Sequence, residues 1–141
     1  MKRNASAQWQ GSLKEGKGKI STQSGVLSES QYSFGTRFES GKGTNPEELI
    51  GAAHAGCYSM ALSMILGEEG FTPDKIDTKA DVSLEEGDDG FKIASVHLDV
   101  TGKVPGADEA AFKKCAEAAK KGCPVSKVLN AEITMDARLV D

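Results

Sequence analysis

Three cysteines, Cys57, Cys115 and Cys123, and two histidines, His54 and His97, are the residues of this 141-residue chain best suited to catalysis or ligation. An odd cysteine count, in a chain that opens on polar sequence without an apolar leader, argues against a structural disulfide framework. No Cys-x-x-Cys is present, so a thioredoxin-type redox centre is excluded. His54 and His97 fall in different elements without ligand spacing, and no Gly-x-Ser-x-Gly elbow exists. Zinc and serine-hydrolase chemistry are therefore set aside, and the reading calls for neither metal nor cofactor. What remains is a pair of well-separated cysteines, 57 and 123, that can meet only through the fold.

The two cysteines have different claims. Cys123 stands between Gly122 and Pro124, at the expected N-cap of a helix, where the helix dipole and free amides stabilise a thiolate. A plain capping residue at a helix corner is an equal reading there. Cys57 lies in the middle of a helix, in His54-Ala55-Gly56-Cys57-Tyr58, and on spacing alone reads first as a small packed hydrophobe. Composition thus makes Cys123 the better thiolate. Cys115 falls on an apolar helical stripe and reads as structural.

The elements that must position these residues are legible from periodicity. Ala5 to Leu13 alternates as a strand, Gly16 and Gly18 punctuate a turn, and Tyr32 to Phe38 alternates again, with Arg37 opposite Tyr32, Phe34, Thr36 and Phe38. Thr44 or Asn45 can then cap a helix with Pro46 at its first position and Glu47 closing a Thr-x-x-Glu box. That helix is predicted to run to about Leu66. Asp77 to Leu84 and Phe91 to Thr101 read as a hairpin. Asp108 caps a helix with a Phe112, Cys115, Ala116 and Ala119 stripe, ended by Gly122. Cys123-Pro124 opens a short helix, and Ala131 to Val140 is a last strand. The order βββ, α, ββ, αα, β is α+β, in one domain spanning residues 1–141.

Leu49 to Leu66 is long enough to cross a membrane and carries no formal charge at neutral histidine. It contains His54, Ser59, Ser63 and two glycines, is flanked by glutamates, and lacks orienting Lys or Arg, so a buried core helix is the better reading. A chain this small has difficulty covering a helix that is apolar on every side, which predicts a homodimer built around it. With 17 Lys+Arg against 21 Asp+Glu the net charge is -4, which disfavours a nucleic-acid partner. The absence of an export signal predicts a cytoplasmic protein.

Phe34-Gly35-Thr36-Arg37-Phe38, the run from Gly43-Thr44-Asn45-Pro46-Glu47 to His54-Ala55-Gly56-Cys57, and Gly122-Cys123-Pro124-Val125-Ser126 together resemble the OsmC/Ohr family. The resemblance covers essentially the whole chain and is closest to the osmotically inducible protein C branch. It implies an OsmC-like fold with antiparallel sheets packed on a long central helix, an intertwined homodimer, and active sites at the subunit interface. It implies further that Cys57 is the peroxidatic cysteine, Cys123 the resolving one, and Arg37 and Glu47 the polar pair that activates Cys57. The implied substrate is an organic hydroperoxide, and the implied reductant a dithiol, of lipoyl type in the family. A redox sensor and a non-catalytic binding dimer are the competing readings.

Physical chemistry bears on those borrowed roles. A thiol of pKa near 8.5 is only about 3% ionised at pH 7. Burial in an apolar helix raises that pKa, so a guanidinium beside the sulfur is needed to reverse the sign. Glu47 precedes Cys57 by ten residues, about 15 Å along an unbroken helix. Either the helix is interrupted or a partner chain contributes Glu47. His54, one turn before Cys57, can assist or simply pack.

Overall fold

A computed structural model describes residues 1–141, which divide into two compact units, residues 1–49 and 50–141. The first unit begins with an antiparallel meander of β1 (Ala5–Gln10), β2 (Lys17–Thr22) and β3 (Ser30–Tyr32), in the order β1-β2-β3. Trp9 of β1 and Tyr32 of β3 meet over β2, their ring centroids 5.4 Å apart. Gly18 lies between them in the strand, paired with both Trp9 and Tyr32. A Cβ there would stand 2.3 Å from the Tyr32 ring, so only glycine lets the rings close over the sheet. Gly18 is thus a strand residue and not the turn punctuation its sequence context suggested. Gly16 does close the turn, its amide donating to Ser12 at 2.8 Å.

The expected strand from Tyr32 to Phe38 is instead the end of β3 followed by a short helix, α1 (Phe34–Phe38). Local hydrogen bonding overrides the alternation. Ser33 Oγ accepts from the Thr36 amide at 3.3 Å, and the Ser33 amide donates to Thr36 Oγ1 at 2.8 Å. In the helix Phe34 and Phe38 become neighbours four residues apart, with centroids at 4.9 Å.

The long helix α2 (Pro46–Glu68) starts at the expected proline. Its cap is Asn45, whose Oδ1 accepts from the Glu48 amide at 2.8 Å, while Thr44 Oγ1 donates to the Gln31 carbonyl. The anticipated Thr44–Glu47 box does not form. Glu47 is left free for another partner.

In the second unit, β4 (Lys75–Gly87) and β5 (Gly90–Lys103) form the predicted hairpin, turned at Asp88-Asp89 with Gly90 at φ +99°. The helices α3 (Glu109–Gly122) and α4 (Pro124–Val128) then cross over to β6 (Glu132–Val140), which pairs parallel to β5, so this sheet is mixed and not antiparallel throughout as expected, because a helical crossover returns the chain in the same direction. Val96, Leu98 and Val100 of β5 point inward, against Tyr58, Leu62 and Leu66 of α2 and Phe112, Ala116 and Ala119 of α3. His97, Asp99 and Thr101 alternate outward, toward Thr134, Asp136 and Arg138.

The α3 stripe is buried as its spacing predicted, and Asp108 caps the helix through the Ala111 amide at 2.7 Å. The Phe112 ring lies over Gly102, where a Cβ would approach to 2.4 Å. Phe112→Ala is therefore expected to cost about 3–5 kcal/mol, because the rigid strand and helix around the ring cannot close the cavity. The midpoint of chemical denaturation measures it.

By length and composition alone α2 could cross a membrane. Here the side carrying His54, Tyr58, Leu62 and Leu66 is buried in the second unit's core. On its opposite side the second unit leaves Met60 77% and Met64 61% exposed.

Candidate functional site

The crossover brings Cys123 to Cys57. Their Sγ atoms lie 3.0 Å apart across 66 residues of sequence, and both are free thiols. Cys57 occupies the middle of α2 and is partly exposed. Cys123 is fully buried at the junction of α3 and α4, where its amide donates to the Ala119 carbonyl at 2.9 Å. It ends one helix and caps the next, and Pro124 fits the first position of α4 because no amide is needed there.

The two thiols are shifted in opposite directions. Burial pushes the Cys57 thiol up, the bond with Cys123 pushes it further, and the Val125 amide offsets part of this. Cys123 is also opposed by burial, yet it is held below its ordinary range. The Cys57 contact, the amides of Ser126 and Val125, and the Ser126 hydroxyl all favour its thiolate. Within a single chain, Cys123 is the better thiolate, as the helix-junction argument expected.

His54 is fully buried, and its Nε2 lies 2.8 Å from the Ser126 hydroxyl. Its Nδ1 has no hydrogen-bond partner, and burial holds the ring below its ordinary pKa, hence neutral at pH 7. Ser126 was legible only as the last residue of the Gly-Cys-Pro-Val-Ser stretch; nothing in its spacing pointed to a histidine 72 residues away. Tyr58 is the other polar residue the sequence did not single out. Its hydroxyl donates to the Ala116 carbonyl and lies 3.1 Å from Met135 Sδ, and burial raises its pKa strongly. Cys115 is buried on the α3 stripe, and burial pushes its thiol up as well. His97 belongs to the outer face of the sheet, bonded to Thr134 and Asp136. No three His, Cys, Asp or Glu side chains converge as a metal ion requires.

The first unit holds the second polar pair. Arg37 Nε and Nη2 both donate to Glu47 Oε1, at 3.2 and 2.9 Å. Glu47 is largely covered and Arg37 about one-third exposed, so the carboxylate anchors a guanidinium that still has free donors. Helix α1 creates this arrangement: it places Arg37 beside a cavity of about 280 Å³ lined by Trp9, Leu13, Tyr32, Phe34 and Phe38. Four aromatic side chains and Leu13 make that wall largely apolar.

Residues 39–138 match the family model described as OsmC-like protein. The chain is 59% identical over 133 residues to the peroxiredoxin OsmC of Escherichia coli, covering 94% of this chain and 93% of that protein. It is 31% identical over 123 residues to the organic hydroperoxide resistance protein OhrB of Bacillus subtilis, covering 86% and 88%. The crystal structure of that OhrB superposes with a TM-score of 0.74 at 27% identity, covering 96% of this chain and 98% of the other. An OsmC-like protein from Vibrio cholerae shares the fold, with a TM-score of 0.76 at 15% identity over 98% of this chain and 99% of the other.

Proposed function

The chain belongs to the OsmC family, and on that premise we propose that it is a thiol-dependent peroxidase that reduces organic hydroperoxides in stress defence. The observation that carries this reading is the 3.0 Å contact between Cys57 and Cys123. Two free thiols that close have a direct route to a disulfide once one is oxidised. Cys57, the more accessible sulfur, attacks the distal peroxide oxygen as thiolate. The S–O bond forms, the O–O bond breaks, and the alkoxide takes up a proton to leave as alcohol. Cys123 then displaces hydroxide from the Cys57 sulfenic acid, giving a disulfide and water. An external dithiol, a lipoyl group in keeping with the family, restores both thiols.

This order requires a cation to outweigh the burial that disfavours the Cys57 thiolate. The Arg37–Glu47 pair is the one we assign to that role. Helix α2 runs unbroken from Pro46 to Glu68, so Glu47 stands about 15 Å along the axis from Cys57. We therefore place Arg37 and Glu47 of the partner subunit beside Cys57 in a homodimer. The apolar side of α2 that the second unit leaves exposed, with Met60 and Met64, supports a partner chain there rather than lipid. Residues 1–141 act together as one cytoplasmic domain in this reading, with no nucleic-acid partner.

Steady-state consumption of cumene hydroperoxide with dithiothreitol or dihydrolipoamide tests the proposal. Sustained turnover is expected, with hydrogen peroxide the poorer substrate because the aromatic cavity beside Arg37 rewards an alkyl group. Equal rates on both peroxides would remove the cavity from the argument. A single oxidation without sustained turnover, under any dithiol, would replace the enzyme with a sensor built on the same cysteine pair.

A further inference from the structure

The cycle above leaves idle a line of polar groups that runs inward from the sulfurs. Cys123 Sγ touches Cys57 Sγ at 3.0 Å, Ser126 follows Cys123 by three residues in the first turn of α4 with a hydroxyl that favours the Cys123 thiolate, and His54 Nε2 lies 2.8 Å from that hydroxyl. Helix α2 supplies both ends of the line, His54 and Cys57, while Cys123 and Ser126 come from the α3–α4 junction.

The state of His54 shows what the line is suited to. The ring is fully buried with Nδ1 unpaired, an arrangement that costs stability relative to an apolar residue of similar size. Its single hydrogen bond, to Ser126, is what its position serves. Burial keeps the ring neutral, so one of its nitrogens is bare and able to take a proton. Cys123, for its part, is fully buried and has no direct path by which bulk water could deprotonate it.

We propose that Ser126, backed by His54, removes the proton from Cys123 when the disulfide forms. The inference rests on the peroxidase reading. While Cys57 is the thiolate, Cys123 keeps the shared proton and donates it across the Sγ–Sγ contact. Once Cys57 is a sulfenic acid, Ser126 Oγ accepts the Cys123 proton and passes its own to His54 Nε2. The Cys123 thiolate attacks Cys57 Sγ, so that the S–S bond forms and the S–O bond breaks with its electron pair on hydroxide. The hydroxide, released at the partly exposed Cys57, takes a proton from solvent and leaves as water; the proton gained by His54 is later given back to solvent, which balances that uptake, and no further electrons leave the cysteine pair. In this step Ser126 acts on the reacting sulfur, and His54 is a positioning residue that acts through it.

The test is a single turnover of the full-length reduced protein with one equivalent of cumene hydroperoxide. Dimedone adducts report the sulfenic acid, and intact mass reports the disulfide. Ser126→Ala and His54→Gln are expected to slow disulfide formation, relative to Cys57 oxidation, on the order of 100-fold, so that sulfenic acid accumulates. Ser126→Thr keeps the hydroxyl and is expected to return the disulfide step to within about threefold of the unsubstituted rate. Disulfide formation at the unsubstituted rate in Ser126→Ala, or an equal loss in Ser126→Thr and Ser126→Ala, overturns the relay. Should His54→Gln fail to fold, the two Ser126 variants decide. An unsubstituted protein that yields neither sulfenic acid nor disulfide overturns the peroxidase reading itself; unaffected variants of a protein that does form the disulfide overturn the relay alone.

Discussion

Cys57→Ser is expected to reduce hydroperoxide turnover by at least about 10³-fold, because a serine hydroxyl is not ionised near neutral pH and cannot replace the attacking sulfur. Cys123→Ser should behave differently. Its Cys57 can still attack, so one equivalent of alcohol is released rapidly and the sulfenic acid then persists, open to trapping or over-oxidation. The contrast assigns the order of the two sulfurs. That order matters because the single chain, by its own electrostatics, favours Cys123 as thiolate. Should Cys123→Ser abolish the first oxidation while Cys57→Ser preserves it, the roles are reversed and the argument for an added cation at Cys57 falls. Quench-flow detection of the alcohol, beside intact mass, distinguishes the two orders.

Arg37→Met is expected to lower turnover at pH 7 on the order of 100-fold, through loss of the charge that offsets burial of the Cys57 thiolate. The sign of the pH dependence follows from the direction of the shift. Burial and the Cys123 bond hold the Cys57 pKa above its ordinary value when no guanidinium opposes them. Below that pKa the thiolate fraction rises about tenfold per pH unit, so the deficit of Arg37→Met shrinks as pH is raised above 7. A pH–rate profile showing a constant deficit would instead assign Arg37 to substrate binding, beside the aromatic cavity it borders. Mixing supplies a second readout. If the partner subunit provides the arginine, heterodimers of Arg37→Met and Cys57→Ser chains contain one complete site, and activity rises well above that of either deficient protein on mixing. If each chain supplies its own, every site in the mixture is defective.

Local signals carried the sequence reading, and their limits explain its errors. The α3 stripe of Phe112, Cys115, Ala116 and Ala119, its Asp108 cap, and the Cys123-Pro124 junction depend on neighbours within a turn or two, and the structure has them all. Tyr32 to Phe38 shows two local signals in conflict. Its alternation has strand periodicity, but Ser33 and Thr36 satisfy each other's backbone amides, and the helix forms. The Thr44–Glu47 box lost to Asn45 for a related reason: Thr44 is engaged with Gln31, a partner 13 residues away. The Cys57–Cys123 contact lay beyond any spacing rule. It depends on α3 packing back into the core shared with α2 and β5, so only the resemblance of the motifs to a family could suggest it.

That packing also governs when the chain becomes reactive during folding. Contacts between residues far apart in sequence form late and slowly. Helix α2 and the β4–β5 hairpin can assemble from near neighbours, whereas Cys123 reaches Cys57 only once α3 has packed back into the core shared with α2 and β5. In the partly folded chain each thiol is an isolated cysteine with ordinary acidity and neither neighbour nor relay. The oxidisable pair is thus a product of long-range packing, which delays redox chemistry until α3 has closed onto the core.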